Sequence, residues 1–445
     1  MKSLPRSHVF FVGLMLFSLF FGAGNLIFPP ILGQQAGENF AFAIFGFILT
    51  GVGLPLLTVI AIAISGRDMQ HLAGRVHPKF GIVFAVIVYL SIGPSMGIPR
   101  VANVAFEMGM RSFVPESLRA SKWVLLAFTF VFFCLVYWLC LNPSKLVLRI
   151  GNVLTPLLLL SIAALFIAAM MSPLGEAHPA VQEYAASPGF KGFMEGYLTM
   201  DTIAALAFGI IVINAIRDTG VQDKRMITKA AVQAGIIAGV GLSLVYAALG
   251  FMGVTSVTEL GYAQNGGQLL TQIVQQLFGQ FGLVLLAVIV ALACLTTCIG
   301  LVSACSQYFS TLIKRLRYNQ IAFIICVLGL LVANLGLNTI ISISIPILLV
   351  IYPVSIVIIL LSFCHRWFGG RASVYIGALI GTMLVSLFDG LKQANIPVEF
   401  VTEWLKHLPL YEQGIGWIVP AVVGGGIGFL FGIIRPHPSQ DQRNL

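Results

Sequence analysis

The chain has 445 residues, of which 58% are hydrophobic and only 9% charged, with a mean hydropathy of +0.97. A soluble protein carries about 25% charged residues, so the composition excludes a soluble globular fold and indicates a polytopic membrane protein. The formal net charge of +9 does not indicate a nucleic-acid binder, because the basic residues lie in short clusters between apolar segments rather than along one face.

Apolar segments of the length a spanning helix needs, about 20 residues, fall near 8–36, 40–65, 80–100, 123–141, 150–172, 192–216, 227–253, 281–312, 320–337, 339–362, 372–389 and 414–434. The expected fold class is therefore all-α, with about twelve transmembrane helices. No soluble domain is expected, since no stretch outside the spans is long enough to bury its own core. No secretory signal peptide is read, because the first segment lacks a small-residue cleavage site and outruns a signal h-region.

The first segment is interrupted by Gly22-Ala23-Gly24-Asn25-Leu26-Ile27-Phe28-Pro29-Pro30. Glycine and proline weaken a helix, and proline removes a donor. In hydrocarbon an unsatisfied N–H or C=O costs several kcal/mol, so such a break persists only inside protein or beside a cavity. It suggests a bound ligand or ion; the alternative is a simple kink or a close helix contact.

Lys and Arg set the orientation. Loops on one side carry Arg67, Arg75 and Lys79, then Lys145 and Arg149, then Arg217, Lys224, Arg225 and Lys229, then Lys314, Arg315 and Arg317, then Arg366 and Arg371. The other loops hold only Arg111, Arg119, Lys122, Lys191, Lys392 and Lys406. Both termini are expected to be cytoplasmic, with residues 435–445 forming a short polar tail. Two outer loops, Gly175 to Lys191 and Gly253 to Gln280, are polar; the second either carries a short helix, Gly266 to Phe278, or is plain solvated loop.

The chain is not expected to be an enzyme. It has no H-E-x-x-H, G-x-S-x-G or phosphate-binding glycine loop, and His8, His71, His77, His178, His365, His407 and His437 lie in loops or at span ends. A channel would want a repeated filter, and nothing repeats so. Cys294 and Cys298 share a helix face but have no His or acid nearby, so no transition-metal site is expected and the thiols read as small apolar residues. The polar residues at depth are mostly neutral, among them Ser18, Asn25, Tyr89, Thr202, Thr296 and Thr297. Neutral oxygens beside a broken helix suit a dehydrated alkali cation, half-helix N-termini suit a carboxylate, and a proton relay would need buried acids.

The Gly22–Pro30 stretch resembles the bacterial branched-chain amino-acid carrier family, as do Gln35-Ala36-Gly37-Glu38 and Gly196-Tyr197-Leu198-Thr199-Met200-Asp201-Thr202. So do Pro94, Pro99 and Arg100 in the third span, and Leu408-Pro409-Leu410 with Glu412-Gln413-Gly414 before the last. The resemblance covers essentially the whole chain. It implies sodium-coupled symport of leucine, isoleucine and valine, in the cytoplasmic (inner) membrane of a bacterium, with proton coupling as the alternative. It also implies the five-plus-five inverted-repeat fold of the leucine-transporter class. The first repeat is then 8–172, the second 192–362, and two further helices occupy 372–434. A block of five spans does reverse the direction of spans 1 and 6, as an inverted repeat requires.

In that fold, broken helices 1 and 6 hold the substrate. The resemblance assigns its carboxylate to the backbone N–H groups around Gly22, Ala23 and Gly24, with Tyr89 nearby. Asn25 then either coordinates a cation or caps the second half-helix. Thr202, Ala205 and Phe208 would line the side-chain pocket, with the sixth-span break near 204–209. The sodium site would join carbonyls at Ser18 and Phe21 to Ala293, Thr296 and Thr297, which share one face at i, i+3 and i+4; the alternative is that each threonine bonds its own backbone. Arg100 would snorkel to the outer interface beside Glu107 or act as a gate, and Asp201 would be a gate or a structural hydrogen-bond partner. No organic cofactor, no nucleic acid and no obligate protein partner are expected; the expected partners are the amino acids, the sodium ion and membrane lipid.

Overall fold

The computed structural model describes residues 6–119, 121–141, 156, 159–171, 174–181 and 183–434, and among them no residue is in a β-strand. Seven of the described helices are long and apolar enough to cross a membrane, eight if Pro188–Thr199 and Asp201–Asp218 form one broken span. Shorter apolar helices, Ser7–Phe20, Leu159–Met171, Tyr318–Ala333 and Ile418–Ile434, accompany them. The loop bearing Lys145 and Arg149, the start of the fifth expected span and the tail 435–445 lie outside the described residues.

The chain divides into two units, one formed by Met1–Gly53, Leu90–Met200 and Gln233–Ile341, the other by Leu54–Tyr89, Asp201–Val232 and Ser342–Leu445. In the first unit, the broken first span packs against the long helix Gly266–Leu312. That helix bends at Gly279, whose φ of +59° is the left-handed region glycine tolerates. Residues 266–278 are thus helical, as one of the two expectations for this loop had it, and Asn265 caps them by accepting the Gln268 N–H at 2.9 Å.

The second half of the first span, Ala23–Ala36, approaches its neighbours backbone to backbone. A Cβ on Gly33 would stand 1.8 Å from the Gly250 carbonyl oxygen, and one on Gly266 would stand 1.7 Å from that of Ile27. Only residues without side chains permit such an approach. Beyond its C-terminal end, Glu38 donates its N–H to the His178 carbonyl and Val181 donates to that of Gln35, both at 3.0 Å.

The second unit contains the second part of the sixth span, Asp201–Asp218, packed on Leu54–Ser65. It also contains the helices Ala372–Gln393 and Ile418–Ile434, which meet through Gly377 and Gly424.

Candidate functional site

The first span breaks at Phe21 and Gly22. Helix Arg6–Phe20 ends there, Gly22 is extended (φ −115°, ψ −164°), and a second helix runs Ala23–Ala36. The break occupies the first residues of the motif only; Pro29 and Pro30 lie inside the second half-helix. The reason is local. Asn25, third residue of the new helix, reaches back and accepts the Gly22 N–H on Oδ1 at 2.9 Å. This is the reciprocal half of a capping box. Glycine has no side chain for the other half, so the capping hydroxyl that would normally satisfy the first-turn N–H groups is missing.

Two consequences follow for the expected roles. The Gly22 N–H is already used and does not point to a substrate carboxylate, which leaves the orphan donors of the first turn, Ala23 and Gly24. The same hydrogen bond diverts Gly22 from Ser18, whose carbonyl would have been its i−4 acceptor. Phe21 still donates to Phe17 at 2.7 Å. Asn25 is therefore a cap. Its amide nitrogen donates to the Tyr246 hydroxyl in the seventh span.

Tyr246 was not legible as a site residue. It is fully buried, and its ring meets Phe47 edge-on at 5.2 Å. The one signal available was a lone tyrosine in a mostly apolar span, since a buried Tyr hydroxyl needs a partner.

Helix Gly266–Leu312 presents Thr297 to the break. A Cβ built on Gly22 would lie 3.2 Å from Thr297 Cγ2 and 3.6 Å from Oγ1. Thr297 is 9% exposed, and among the described residues its hydroxyl has no hydrogen-bond partner. Thr296 behaves differently: its hydroxyl donates to the Leu292 carbonyl at 2.9 Å, the local satisfaction common for threonine in a helix. Of the two expected hydroxyl ligands, one is unsatisfied and one is not. Ala293 is buried one turn before Thr297, Phe21 is buried, and Ser18 is half-buried. Leaving the Thr297 hydroxyl buried and unpaired costs about 1–3 kcal/mol, a cost that an oxygen-seeking cation at this place would remove.

Arg100 is not at an interface. It is 4% exposed, with Nη1 donating to the Leu198 carbonyl at 2.5 Å and Nη2 to that of Thr199 at 3.0 Å. Glu107, its expected partner, instead pairs with Arg111 at 2.5 Å. The backbone explains the difference. The third span is irregular over Ser91–Ser95, where Gly93 is non-helical (φ −85°, ψ −126°), and a new helix, Gly97–Val104, buries Arg100 in its first turn.

The sixth span breaks earlier than expected. A 3-10 turn, Gly196–Thr199, ends at Met200, whose φ of +66° is left-handed, and helix Asp201–Asp218 is then continuous through 204–209. Gly209 is a packing glycine: its Cβ would stand 2.5 Å from Ile62 Cδ1. In the second unit, Thr202, Ala205 and Phe208 are all buried, and among the described residues the Thr202 hydroxyl has no partner. Asp201 is buried at the first position of its helix, where the positive dipole end favours a carboxylate, and Tyr89 is buried at the end of Pro78–Leu90.

Comparison with known proteins bears on the same chain. Residues 5–435 match the family described as branched-chain amino acid transport protein. The chain is 45% identical over 440 residues to the branched-chain amino acid permease BrnQ of Bacillus subtilis, covering 98% of this chain and 100% of that one. It is 45% identical over 412 residues to the branched-chain amino acid transport system 2 carrier protein of Pseudomonas aeruginosa, covering 93% of each. Among solved structures, it is similar to Mhp1, a nucleobase-cation-symport-1 family transporter, with a TM-score of 0.60 at 13% identity over 98% of this chain and 95% of that one. MhsT in complex with L-phenylalanine gives a TM-score of 0.60 at 15% identity, over 97% and 99%. At these identities the two structures show the fold alone, and it is the all-helical fold of leucine-transporter type. The chain belongs to the branched-chain amino acid transport protein family.

Proposed function

We propose that the protein is a secondary transporter that takes up leucine, isoleucine and valine by alternating access, driven by sodium. The observation that carries the sodium reading is the buried, unpartnered Thr297 hydroxyl against the break at Gly22. The Ser18 carbonyl has lost its helical donor to Asn25, so it is a second hard oxygen for the same ion, with Phe21 and Ala293 carbonyls completing the set. Thr296 joins only if its hydroxyl leaves Leu292.

The first-turn N–H groups of Ala23 and Gly24 take the substrate carboxylate through the positive end of the half-helix. In the second unit, Thr202, Ala205 and Phe208, all buried, are our candidates for the aliphatic side chain, with Tyr89 as a further contact and Asp201 as a gate residue. A small apolar pocket separates neighbouring aliphatics by only ~1–3 kcal/mol per methylene, which fits shared transport of the three amino acids. The repeats 8–172 and 192–362, followed by 372–434, are the moving architecture. Exposed apolar side chains such as Phe45, Leu244, Phe281 and Phe431 suit lipid contact. The surplus of Lys and Arg in alternate loops supports a bacterial cytoplasmic membrane with both termini inside.

The test is uptake of labelled leucine by purified protein in liposomes. Uptake should follow an inward sodium gradient and fail on a proton gradient alone. Equal uptake on protons without sodium would replace the ion while leaving the substrate reading intact.

A further inference from the structure

Arg100 joins three parts of the first unit. Its fork bridges the carbonyls of Leu198 and Thr199, the last two residues before the left-handed Met200. Its guanidinium lies over the Phe28 ring, 5.5 Å from the centroid. A Cβ on Gly24 would stand 3.1 Å from Nη2 and 3.1 Å from the Thr199 Cα. Gly24 is the second residue of helix Ala23–Ala36, so the fork rests against the turn whose N–H groups are assigned above to the carboxylate.

The chemistry of this junction is specific to arginine. The end of a helical turn leaves carbonyls without donors, and a planar guanidinium can serve two at once from one rigid group. A non-glycine residue in the left-handed region persists only where its surroundings over-determine it. The bridge does this for Met200, and Gly24 lets the bridged turn approach helix Ala23–Ala36 without an intervening side chain.

We propose that Arg100 is a positioning residue for the substrate carboxylate, holding the Thr199–Met200 turn against the first turn of Ala23–Ala36 so that the Ala23 and Gly24 N–H groups keep their alignment. The proposal rests on the carboxylate reading above. Arg100 acts through its neighbours, and its effect falls on the carboxylate end of the substrate rather than on the side chain or the ion.

The experiment is displacement of labelled leucine from purified protein in sodium by unlabelled leucine and by leucinamide, which keeps the side chain and amine but lacks the carboxylate. Wild-type protein should prefer leucine by tenfold or more, on the order of one charge-assisted hydrogen bond. Arg100→Gln should bring the two ligands within about threefold while leaving half-saturation by sodium unchanged. An unchanged preference in Arg100→Gln, with both ligands weakened together, would overturn the positioning role. If Arg100→Gln yields no monodisperse protein, Arg100→Lys is read instead. It keeps the charge but cannot bridge both carbonyls, so its preference should fall between the two, and a wild-type ratio would overturn the proposal. A wild-type protein that does not distinguish leucine from leucinamide would remove the carboxylate reading itself.

Discussion

Thr297→Val separates an ion ligand from a structural hydroxyl by the sign of its effect. The substitution replaces Oγ1 by a methyl of similar volume. A structural threonine would lose a hydrogen bond and the variant would be less stable by ~1 kcal/mol in any buffer. The Thr297 hydroxyl has no partner among the described residues, so without sodium the variant should be as stable as wild type or more stable by about 1 kcal/mol. With sodium the order reverses. An ion at 100 times its Kd stabilises the folded state by about 2.7 kcal/mol. If loss of one ligand weakens binding about tenfold, roughly 1.4 kcal/mol, the same concentration stabilises the variant by only about 1.4 kcal/mol. The assay is apparent thermal midpoint in detergent, in sodium and in choline, alongside the sodium dependence of leucine uptake. Wild type should shift upward in sodium, and Thr297→Val should shift by about half as much. A full wild-type shift in the variant would refute the site, and so would destabilisation confined to sodium-free buffer.

Other substitutions probe the surrounding frame. Tyr246→Phe leaves the Asn25 amide without the hydroxyl it donates to; stability should fall by ~1–3 kcal/mol, read as the thermal midpoint in sodium-free buffer, and an unchanged midpoint would show the anchor to be idle. Gly33→Ala places a Cβ 1.8 Å from the Gly250 carbonyl oxygen, a backbone collision that no rotamer relieves, so yield of monodisperse protein should collapse. Gly209→Ala meets only the Ile62 side chain, Cδ1 at 2.5 Å and Cβ at 3.2 Å; overpacking of this kind costs ~1–3 kcal/mol, so the protein should fold and transport with a lowered midpoint. Complete loss of folding there would mean that the helix is tighter on Leu54–Ser65 than the geometry indicates.

The first-span break was readable because two glycines and an asparagine in hydrocarbon have few structural uses. Its extent was not readable: Pro29 and Pro30 suggested a longer unwound stretch, but they lie within the first turns of a new helix. The sixth-span break failed for the complementary reason. It falls on Met200, a residue with no turn signature, held left-handed by tertiary contacts, whereas the deep glycine that drew attention serves packing. Arg100 was misplaced because snorkelling assumes a regular helix up to the interface, and the third span loses its register at Gly93. Thr296 and Thr297 carry the same side chain one residue apart, and only the fold tells which hydroxyl its own backbone has already claimed.

The glycine contacts of Ala23–Ala36 also limit how the protein can move. Contacts between long side chains can slide by rotamer changes, but the segments around Gly33 and Gly250, and around Ile27 and Gly266, touch backbone to backbone. Such a joint has no soft part to absorb displacement. The second half of the first span cannot swing alone; residues 27–33, 250–253 and 266 must travel as one rigid strut. Any flexing in this part of the transport cycle is then left to Phe21 and Gly22, the two residues between the half-helices.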